Sequence, residues 1–238
     1  MTTPQLGELF FTGKTSRVAQ RRLQHLFELR LVDRFQPPSV VWGIPWHWTL
    51  SAAGAKVLAQ AQGMPVERLG HPSRLADRLR RSPQLGHAVG LSLTYVAFSM
   101  AARATSGAKI ERWWPTGRCK LEWGHHVRPD GYVRWRQRDR MIDAFIEYDT
   151  GTESHRRLID KIARYRALAE ASQLASTVLF VVPSTRRMSN LCLGASPGPH
   201  VRVHVTTERQ LAYEGPTRAV WREVGDANCT LRTLTELS

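Results

Sequence analysis

The sequence predicts a mixed α and β protein in two parts: a small helical module with a β-hairpin, then a larger mixed sheet flanked by helices. Two helical segments separated by a tight turn, the second of them amphipathic, occupy roughly the first thirty residues. Alternating and β-branched runs follow between residues 109 and 206, interrupted by a strongly helical segment. At 238 residues the chain is long enough for one large or two small domains with a real core.

The chain is strongly basic. It carries 34 lysines and arginines against 20 acidic residues, a formal net charge of +14. Such an excess favours polyanionic partners, with nucleic acid ahead of an anionic membrane; the alternative is a basic soluble protein without such a partner. No apolar run approaches the ~20 residues of a membrane span, and the N-terminus lacks a signal-peptide pattern. We therefore expect a cytoplasmic protein that does not associate with membranes.

The cysteines are few and isolated. Cys119, Cys192 and Cys229 are odd in number and form no C-x-x-C pair, which indicates a reducing compartment and argues against a disulfide framework. The neighbouring His125 and His126 point in opposite directions if they lie on a strand, and no residue with ligand-like spacing accompanies them. We therefore expect no structural zinc.

The first part of the chain predicts a helix-turn-helix. Residues 4–11 predict a short helix, and after a turn at residues 12–14 an amphipathic helix extends to about residue 32. A helix pair with arginines near the start of its second helix is typical of proteins that place this helix in the DNA major groove. The alternative is an ordinary solvated helix face. The side chains predicted to face DNA here are Lys14, Arg17, Arg21 and Gln24.

A β-hairpin and another helix are predicted next. The hairpin comprises residues 31–35, 40–42 and 46–50, and the helix extends to about residue 62. This order resembles the wing and following helix of winged-helix proteins, but the helix that usually opens such domains is missing. An earlier start codon, another segment or another subunit would have to supply it. We assign residues 1–62 to a truncated winged helix, with its tryptophans in the wing core rather than in a base-stacking platform: Trp42, Trp46 and Trp48.

The next segment joins the two parts. Residues 63–85 predict a linker rich in glycine and proline and a basic helix at 73–81. A long apolar helix at 86–105 contains no acidic residue, and its 4-3-4 apolar spacing predicts packing on a large surface. Residues 109–114 predict the first strand of the sheet, and residues 119–123 an edge strand or loop.

Three acidic residues are predicted to lie at neighbouring strand ends. Asp130 precedes a strand that opens at residues 128–131, and Glu147 and Asp149 end the strand at residues 141–149. Because side chains alternate along a strand, Glu147 and Asp149 share one face at a separation of about 7 Å. Carboxylates this close repel unless a cation or proton intervenes, and a hard divalent ion with oxygen ligands is the simplest remedy. The pattern therefore predicts a metal site at Asp130, Glu147 and Asp149.

The helix after these strands is predicted to cover the sheet. It extends from about residue 154 to residue 171, and beside its apolar face lies a basic stripe formed by Arg157, Lys161 and Arg164. Residues 177–182 predict a buried parallel strand behind this crossover helix. Arg186 and Arg187 follow at a rim where a DNA backbone could pass, and residues 200–206 predict the last strand. The signals beyond residue 206 are weak, and part of that tail is expected to be loose.

These residues resemble the PD-(D/E)XK restriction-like nuclease core, and more specifically the replication-relaxation family of plasmids and mobile elements. The resemblance rests on Pro129-Asp130, on the E-x-D-x-G-T run from Glu147 to Thr152, and on the K-x-x-x-Y run from Lys161 to Tyr165. It implies a restriction-endonuclease-like fold over residues 86–206, with residues 207–238 as an extension. The resemblance also implies Mg²⁺ or Mn²⁺ as cofactor and the catalytic residues Asp130, Glu147, Asp149 and Lys161.

One departure from the motif affects the functional expectation. The motif's lysine normally stands two positions after the strand's acidic residue, where this chain has Asp149; Lys161 on the following helix is the candidate replacement, or else a surface lysine. We expect a metal-dependent nuclease or nicking relaxase that acts on duplex plasmid or transfer-element DNA, with Arg157 and Arg164 contributing to DNA binding. The alternative is a catalytically silent DNA-binding regulator of replication or transcription. Such proteins often dimerise, and a homodimer is possible.

Overall fold

The computed structural model describes residues 1–38, 43–69 and 75–237, which divide into two compact units, Met1–Ser92 and Leu93–Ser238. The elements of the first unit are α1 (Thr3–Phe10), α2 (Ser16–Glu28), β1 (Val32–Phe35), β2 (His47–Leu50), α3 (Ala52–Ala61), a 3₁₀ helix (Val66–Leu69) and α4 (Leu75–Arg80). Strands β1 and β2 pair antiparallel. The predicted order of two helices, a hairpin and a third helix is therefore present, and the predicted strand at residues 40–42 lies outside the described residues.

Local signals explain the helices of the first unit. Thr2 and Gln5 form a capping box at the start of α1, and the Ser51 hydroxyl accepts the Gly54 N–H at the start of α3. Helix α2 ends at Glu28, earlier than the predicted residue 32, because Arg30 adopts a left-handed backbone with φ of +57°. The strand β1 begins two residues later.

Arg34 joins α2 to the hairpin. Its guanidinium lies 4.4 Å from the ring centroids of both Phe27 and Trp46, and it donates a 2.6 Å hydrogen bond to Gln24. Trp48 is buried as predicted, whereas Trp46 is 38% exposed. Trp42 lies outside the described residues.

The second unit is built on one seven-stranded mixed sheet. Helix α5 (Leu85–Ala104) leads into it, and the strands stand in the order β3 to β9. Strands β3, β4 and β5 pair antiparallel, β5, β6 and β7 pair parallel, and β8 and β9 add antiparallel. The elements are β3 (Ala108–Pro115), α6 (Thr116–Trp123), β4 (Gly131–Gln137), β5 (Arg140–Tyr148), α7 (His155–Ser172), β6 (Ser176–Val182), α8 (Thr185–Gly194), β7 (Val201–Thr207), α9 (Glu208–Glu214), β8 (Trp221–Glu223), β9 (Leu231–Arg232) and a 3₁₀ helix (Leu234–Glu236). The predicted mixed sheet flanked by helices is confirmed.

Three segments differ from the sequence prediction. Residues 119–123 belong to helix α6 rather than to an edge strand or loop, and residues 185–194 form helix α8. Strand β7 is not the last strand, because residues 207–237 add α9, β8 and β9. This tail is packed rather than loose, since it buries Leu211, Trp221 and Leu234 completely. Strands of two or three residues are too short to show a period in the sequence.

Helix α5 corrects the expectation that no apolar run reaches the length of a membrane span. By length and composition, Leu85–Ala104 is long and apolar enough to cross a membrane, a property that core helices of soluble proteins share. Within the second unit its Phe98 ring is fully buried, with centroids 5.9 Å from those of Trp113 and Trp135 and 6.5 Å from that of Trp221. This packing on the sheet favours a core helix.

Candidate functional site

Strand pairing brings Asp130 beside Glu147. Gly131, the first residue of β4, pairs with Ile146 of β5, so the residue just before β4 lies next to the end of β5. Asp130 Oδ2 accepts a 2.9 Å hydrogen bond from the backbone N–H of Tyr148. This bond orients the half-buried Asp130 carboxylate toward the strand that carries Glu147.

Glu147 is the most enclosed acidic group of the site. It is 1% exposed; its Oε2 accepts from Lys161 Nζ at 3.1 Å and its Oε1 from the Tyr165 hydroxyl at 2.5 Å. Burial, reinforced by the negative charge of Asp130, raises the pKa of Glu147 to about 8, although Lys161 and Tyr165 act in the opposite direction. Both carboxylate oxygens therefore have donors within the protein.

Helix α7 supplies both of these donors. Its N-terminus is capped by Ser154, and Lys161 and Tyr165 stand four residues apart, on one side of the helix. The structure therefore brings Lys161 to the predicted site. Burial works against the charged form of Lys161, but the carboxylates of Glu147 and Asp130 outweigh it and raise its pKa. Tyr165 is fully buried, and the sequence analysis missed its hydroxyl contact; its spacing from Lys161 was the available signal.

Asp149 has different partners. It is 2% exposed; its Oδ2 accepts from Arg187 Nε at 2.6 Å, and its Oδ1 accepts from the Gly151 N–H at 2.9 Å. Within residues 1–38, 43–69 and 75–237, no three His, Cys, Asp or Glu side chains stand close enough together to hold a metal ion. Arg187 balances the charge of Asp149, whereas Asp130 and Glu147 lie beside each other near Lys161.

The remaining pair of carboxylates fits a magnesium-type ion. Mg²⁺ is usually bound by one or two carboxylates, with water and substrate phosphates completing its shell. Asp130 and Glu147 provide such a pair, and the Tyr148 N–H and the Tyr165 hydroxyl hold the two carboxylates in place. The same pair would not suit a metal that requires a full cage of protein ligands.

The predicted DNA-binding residues occur in both units. In the first unit Lys14, Arg17 and Arg21 are exposed. Gln24 is half-buried and already bonded, since it accepts from Arg34 and donates to Glu28 at 2.8 Å. In the second unit the two predicted residues on α7, Arg157 and Arg164, are both exposed.

The arginine pair at the start of α8 divides into two environments. Arg186 is exposed, as expected for the rim of a DNA-binding surface. Arg187 is only 16% exposed at its side chain and is paired with Asp149. The prediction that a DNA backbone passes at this rim therefore rests on Arg186, because the Arg187 guanidinium is bonded to the buried Asp149.

Comparison with known proteins places these residues in a family. A family model described as replication-relaxation matches residues 1–182, which include the first unit and the second unit as far as the end of β6. Comparison with curated proteins and with solved structures gave no significant match. The family match covers more than half of the chain and includes Asp130, Glu147 and Lys161. The chain therefore belongs to the replication-relaxation family.

Proposed function

We propose that this protein binds duplex DNA of plasmids or mobile elements and cuts a phosphodiester bond in a metal-dependent reaction. Membership of the family indicates a role in the replication of such DNA. The observation that carries the cleavage proposal is the meeting of Lys161 with Glu147 beside Asp130, at the ends of β4 and β5. Two carboxylates can hold a divalent ion and a lysine can stabilise negative charge on a phosphate, which together suit metal-dependent phosphodiester hydrolysis.

The chain's own residues have separable roles in this proposal. Asp130 and Glu147 would hold one Mg²⁺ or Mn²⁺ ion, which supplies Lewis-acid polarisation of the phosphodiester. Lys161 presents an ammonium group that can neutralise charge developing on the phosphate. Tyr165 fixes the orientation of Glu147 through its hydroxyl, and the Tyr148 N–H does the same for Asp130.

Charge and exposure support the DNA-binding half of the proposal. The net charge of +14 attracts a polyanion, and Arg17 and Arg21 are exposed in the first half of α2, the part that would meet DNA if α2 serves as a recognition helix. Arg157 and Arg164 stand on α7 four residues before and three residues after Lys161. These two arginines can contact the backbone on either side of the scissile phosphate.

A second function is favoured by one specific observation. Both oxygens of Glu147 are already bonded to Lys161 and Tyr165, and Asp149 is bonded to Arg187. These carboxylates are thus compensated without any metal. A catalytically silent DNA-binding regulator of replication or transcription would need no more than this arrangement.

Cleavage of supercoiled plasmid separates the two functions. The plasmid carries the cognate replication or transfer region, and Mg²⁺ or Mn²⁺ is added to the wild type, to Glu147→Gln and to Asp143→Asn. Asp143 is the matched control because it is an exposed carboxylate on the same strand, paired with Arg134. We expect nicked or linear products from the wild type and the control, and cleavage slower by about 100-fold or more for Glu147→Gln.

The DNA-binding residues are tested with the same substrate. Arg17→Ala combined with Arg21→Ala should weaken duplex binding and lower the salt dependence of log K by about two. Metal binding should be unchanged in this double variant. Wild-type binding without cleavage under either metal would identify the silent regulator, and unimpaired cleavage by Glu147→Gln would refute the site assignment.

A further inference from the structure

We infer that Asp149 and Arg187 are positioning residues, which hold the loop between β5 and α7 so that Glu153 shares the Lys161 ammonium with Glu147. We call Asp149, Arg187 and the Glu153 carbonyl the Arg187 clamp. The inference reassigns Asp149 from the predicted metal site to this clamp. Its effect on cleavage rests on the proposed function, whereas its effect on the loop does not.

One guanidinium reaches both ends of the loop formed by residues 149–154. Arg187, near the start of α8, donates from Nε to Asp149 Oδ2 at 2.6 Å and from Nη2 to the Glu153 carbonyl at 2.5 Å. The Asp149 N–H in turn donates to the Val181 carbonyl at 2.9 Å, which ties the start of the loop to β6. The planar fork of arginine can serve both acceptors at once, which a lysine ammonium at this position would do less well.

The loop itself has little freedom between these ends. Gly151 has a φ of +82°, and a Cβ at this position would meet Pro183 at 3.0 Å, so only glycine fits the turn without strain. Its N–H donates to Asp149 Oδ1 at 2.9 Å. Asp149 therefore accepts the Gly151 N–H with Oδ1 and the Arg187 guanidinium with Oδ2, so both of its oxygens are hydrogen-bonded within the protein.

The clamp determines where Glu153 lies. Lys161 Nζ is 3.4 Å from Glu153 Oε2 and 3.1 Å from Glu147 Oε2, so one ammonium contacts two carboxylates. The Glu153 contact is an ion pair without hydrogen-bond geometry, since the same oxygen has no hydrogen-bond partner among the described residues. Because Arg187 fixes the Glu153 carbonyl, loss of the clamp releases the second partner of Lys161. The ammonium position next to Glu147 is then less defined.

The test compares five variants with the wild-type chain. They are Asp149→Asn, Arg187→Gln, the two combined, Arg187→Lys as the conservative replacement, and Glu147→Gln as the reference for loss of a metal ligand. Hydrogen–deuterium exchange of the peptide spanning residues 149–154 reports on the loop. Titration with Mn²⁺, followed by the electron paramagnetic resonance of the free ion, reports on the metal site. Plasmid cleavage gives kcat and KM.

Loop exchange should show that Asp149 and Arg187 act as one unit. Asp149→Asn and Arg187→Gln should each raise the exchange rate of this peptide by about tenfold, and the combined variant should exchange no faster than either single variant. Arg187→Lys should lie between wild type and Arg187→Gln. Additive effects of the two single variants, or unchanged exchange in both, would overturn the clamp.

Metal affinity should separate Asp149 from a ligand. Asp149→Asn should keep its Mn²⁺ affinity within about threefold of wild type, while Glu147→Gln loses about tenfold or more. In cleavage, the clamp variants should lower kcat by about tenfold with KM for plasmid unchanged, and Arg187→Lys should recover part of that loss. Equal losses of Mn²⁺ affinity in Asp149→Asn and Glu147→Gln would overturn the inference. If the wild type neither binds Mn²⁺ nor cuts DNA, the proposed function fails, and the exchange measurements still decide the clamp.

Discussion

Glu147 shows how a single buried carboxylate constrains its neighbours. A carboxylate with 1% exposure has lost its hydration, so each oxygen needs a donor from the protein. Lys161 and Tyr165 are these donors, and both come from α7. Tyr165 is therefore more than a core residue, because its hydroxyl satisfies a charge-bearing group inside the fold.

At the residue scale we expect Tyr165→Phe to destabilise the protein. The substitution leaves Glu147 Oε1 without its 2.5 Å donor, which should lower the free energy of unfolding by about 1–3 kcal/mol. Urea denaturation measures this loss. Tyr132→Phe is the matched control, since the Tyr132 hydroxyl bonds the exposed Asp143, whose oxygens can turn to water instead. Equal losses in the two variants would show that the buried hydrogen bond contributes no more to the free energy of unfolding than the exposed one.

At the scale of an element, strand β7 shows what burial does to polar side chains that lack such partners. Its valines at 201, 203 and 205 face the main core cluster, so alternation directs His204 and Thr206 to the opposite face of the sheet. Both are fully buried, and neither the His204 ring nitrogens nor the Thr206 hydroxyl has a hydrogen-bond partner in the part of the chain that the structure describes. A neutral imidazole is tolerated at such a position far better than a charged one.

The buried His204 on this strand should make the folded protein less stable in acid. Burial, assisted by the positive charges of Arg232 and Arg202, lowers the pKa of His204 to about 4. Since the unfolded chain keeps a pKa of about 6.5, it binds the proton first as the pH falls, and stability is lost between pH 6.5 and about 4. The full loss amounts to about 3 kcal/mol.

Urea denaturation at pH 7 and pH 4.5 measures this effect as a difference between variants. We expect the free energy of unfolding of His204→Leu to fall less between pH 7 and pH 4.5 than that of the wild type. The control His200→Leu, which changes an exposed histidine just before the same strand, should retain the wild-type slope. An equal loss of unfolding free energy in wild type and His204→Leu would contradict the assignment of acid sensitivity to His204.

At the scale of the whole molecule, the sheet continues beyond residue 182, where the family match ends. Strand β7 pairs with β6 along its whole length, and β8 and β9 extend the sheet further. Val203, Val205 and Trp221 are fully buried. Residues 183–237 are therefore part of the same core as the candidate site, and they also supply Arg187.

We expect a chain that ends at residue 182 to lose cooperative folding. Its β6 edge and the core face of α7 would be exposed to water, which removes far more apolar burial than the marginal stability of a domain can tolerate. Circular dichroism during heating and size-exclusion chromatography measure this outcome. The full chain with Leu193→Ser, a change at an 82% exposed position, should melt like wild type. A sharp transition of the shortened chain at the wild-type temperature would disprove the prediction.

Local patterns in the sequence were sufficient for much of the fold and for part of the site. Helical periodicity predicted α2 and α7, turn signals and alternation predicted β4 and β5, and a continuous apolar, β-branched run predicted β6, because these patterns depend on neighbouring residues only. Strand alternation and turn signals placed Asp130 near Glu147, and the resemblance to the PD-(D/E)XK motif named Lys161 as the lysine on the following helix. These three residues do meet in the structure.

Only the tertiary structure decided which cation balances each carboxylate. Arg187 is 38 positions from Asp149 along the chain, and it reaches Asp149 because parallel pairing brings the ends of β5 and β6 together. Likewise, β8 and β9 form because they find an edge of the sheet, and their few residues carry no periodic signal of their own. Periodicity and motif spacing determined the elements and the acidic pair, whereas long-range packing selected the partner of each buried charge.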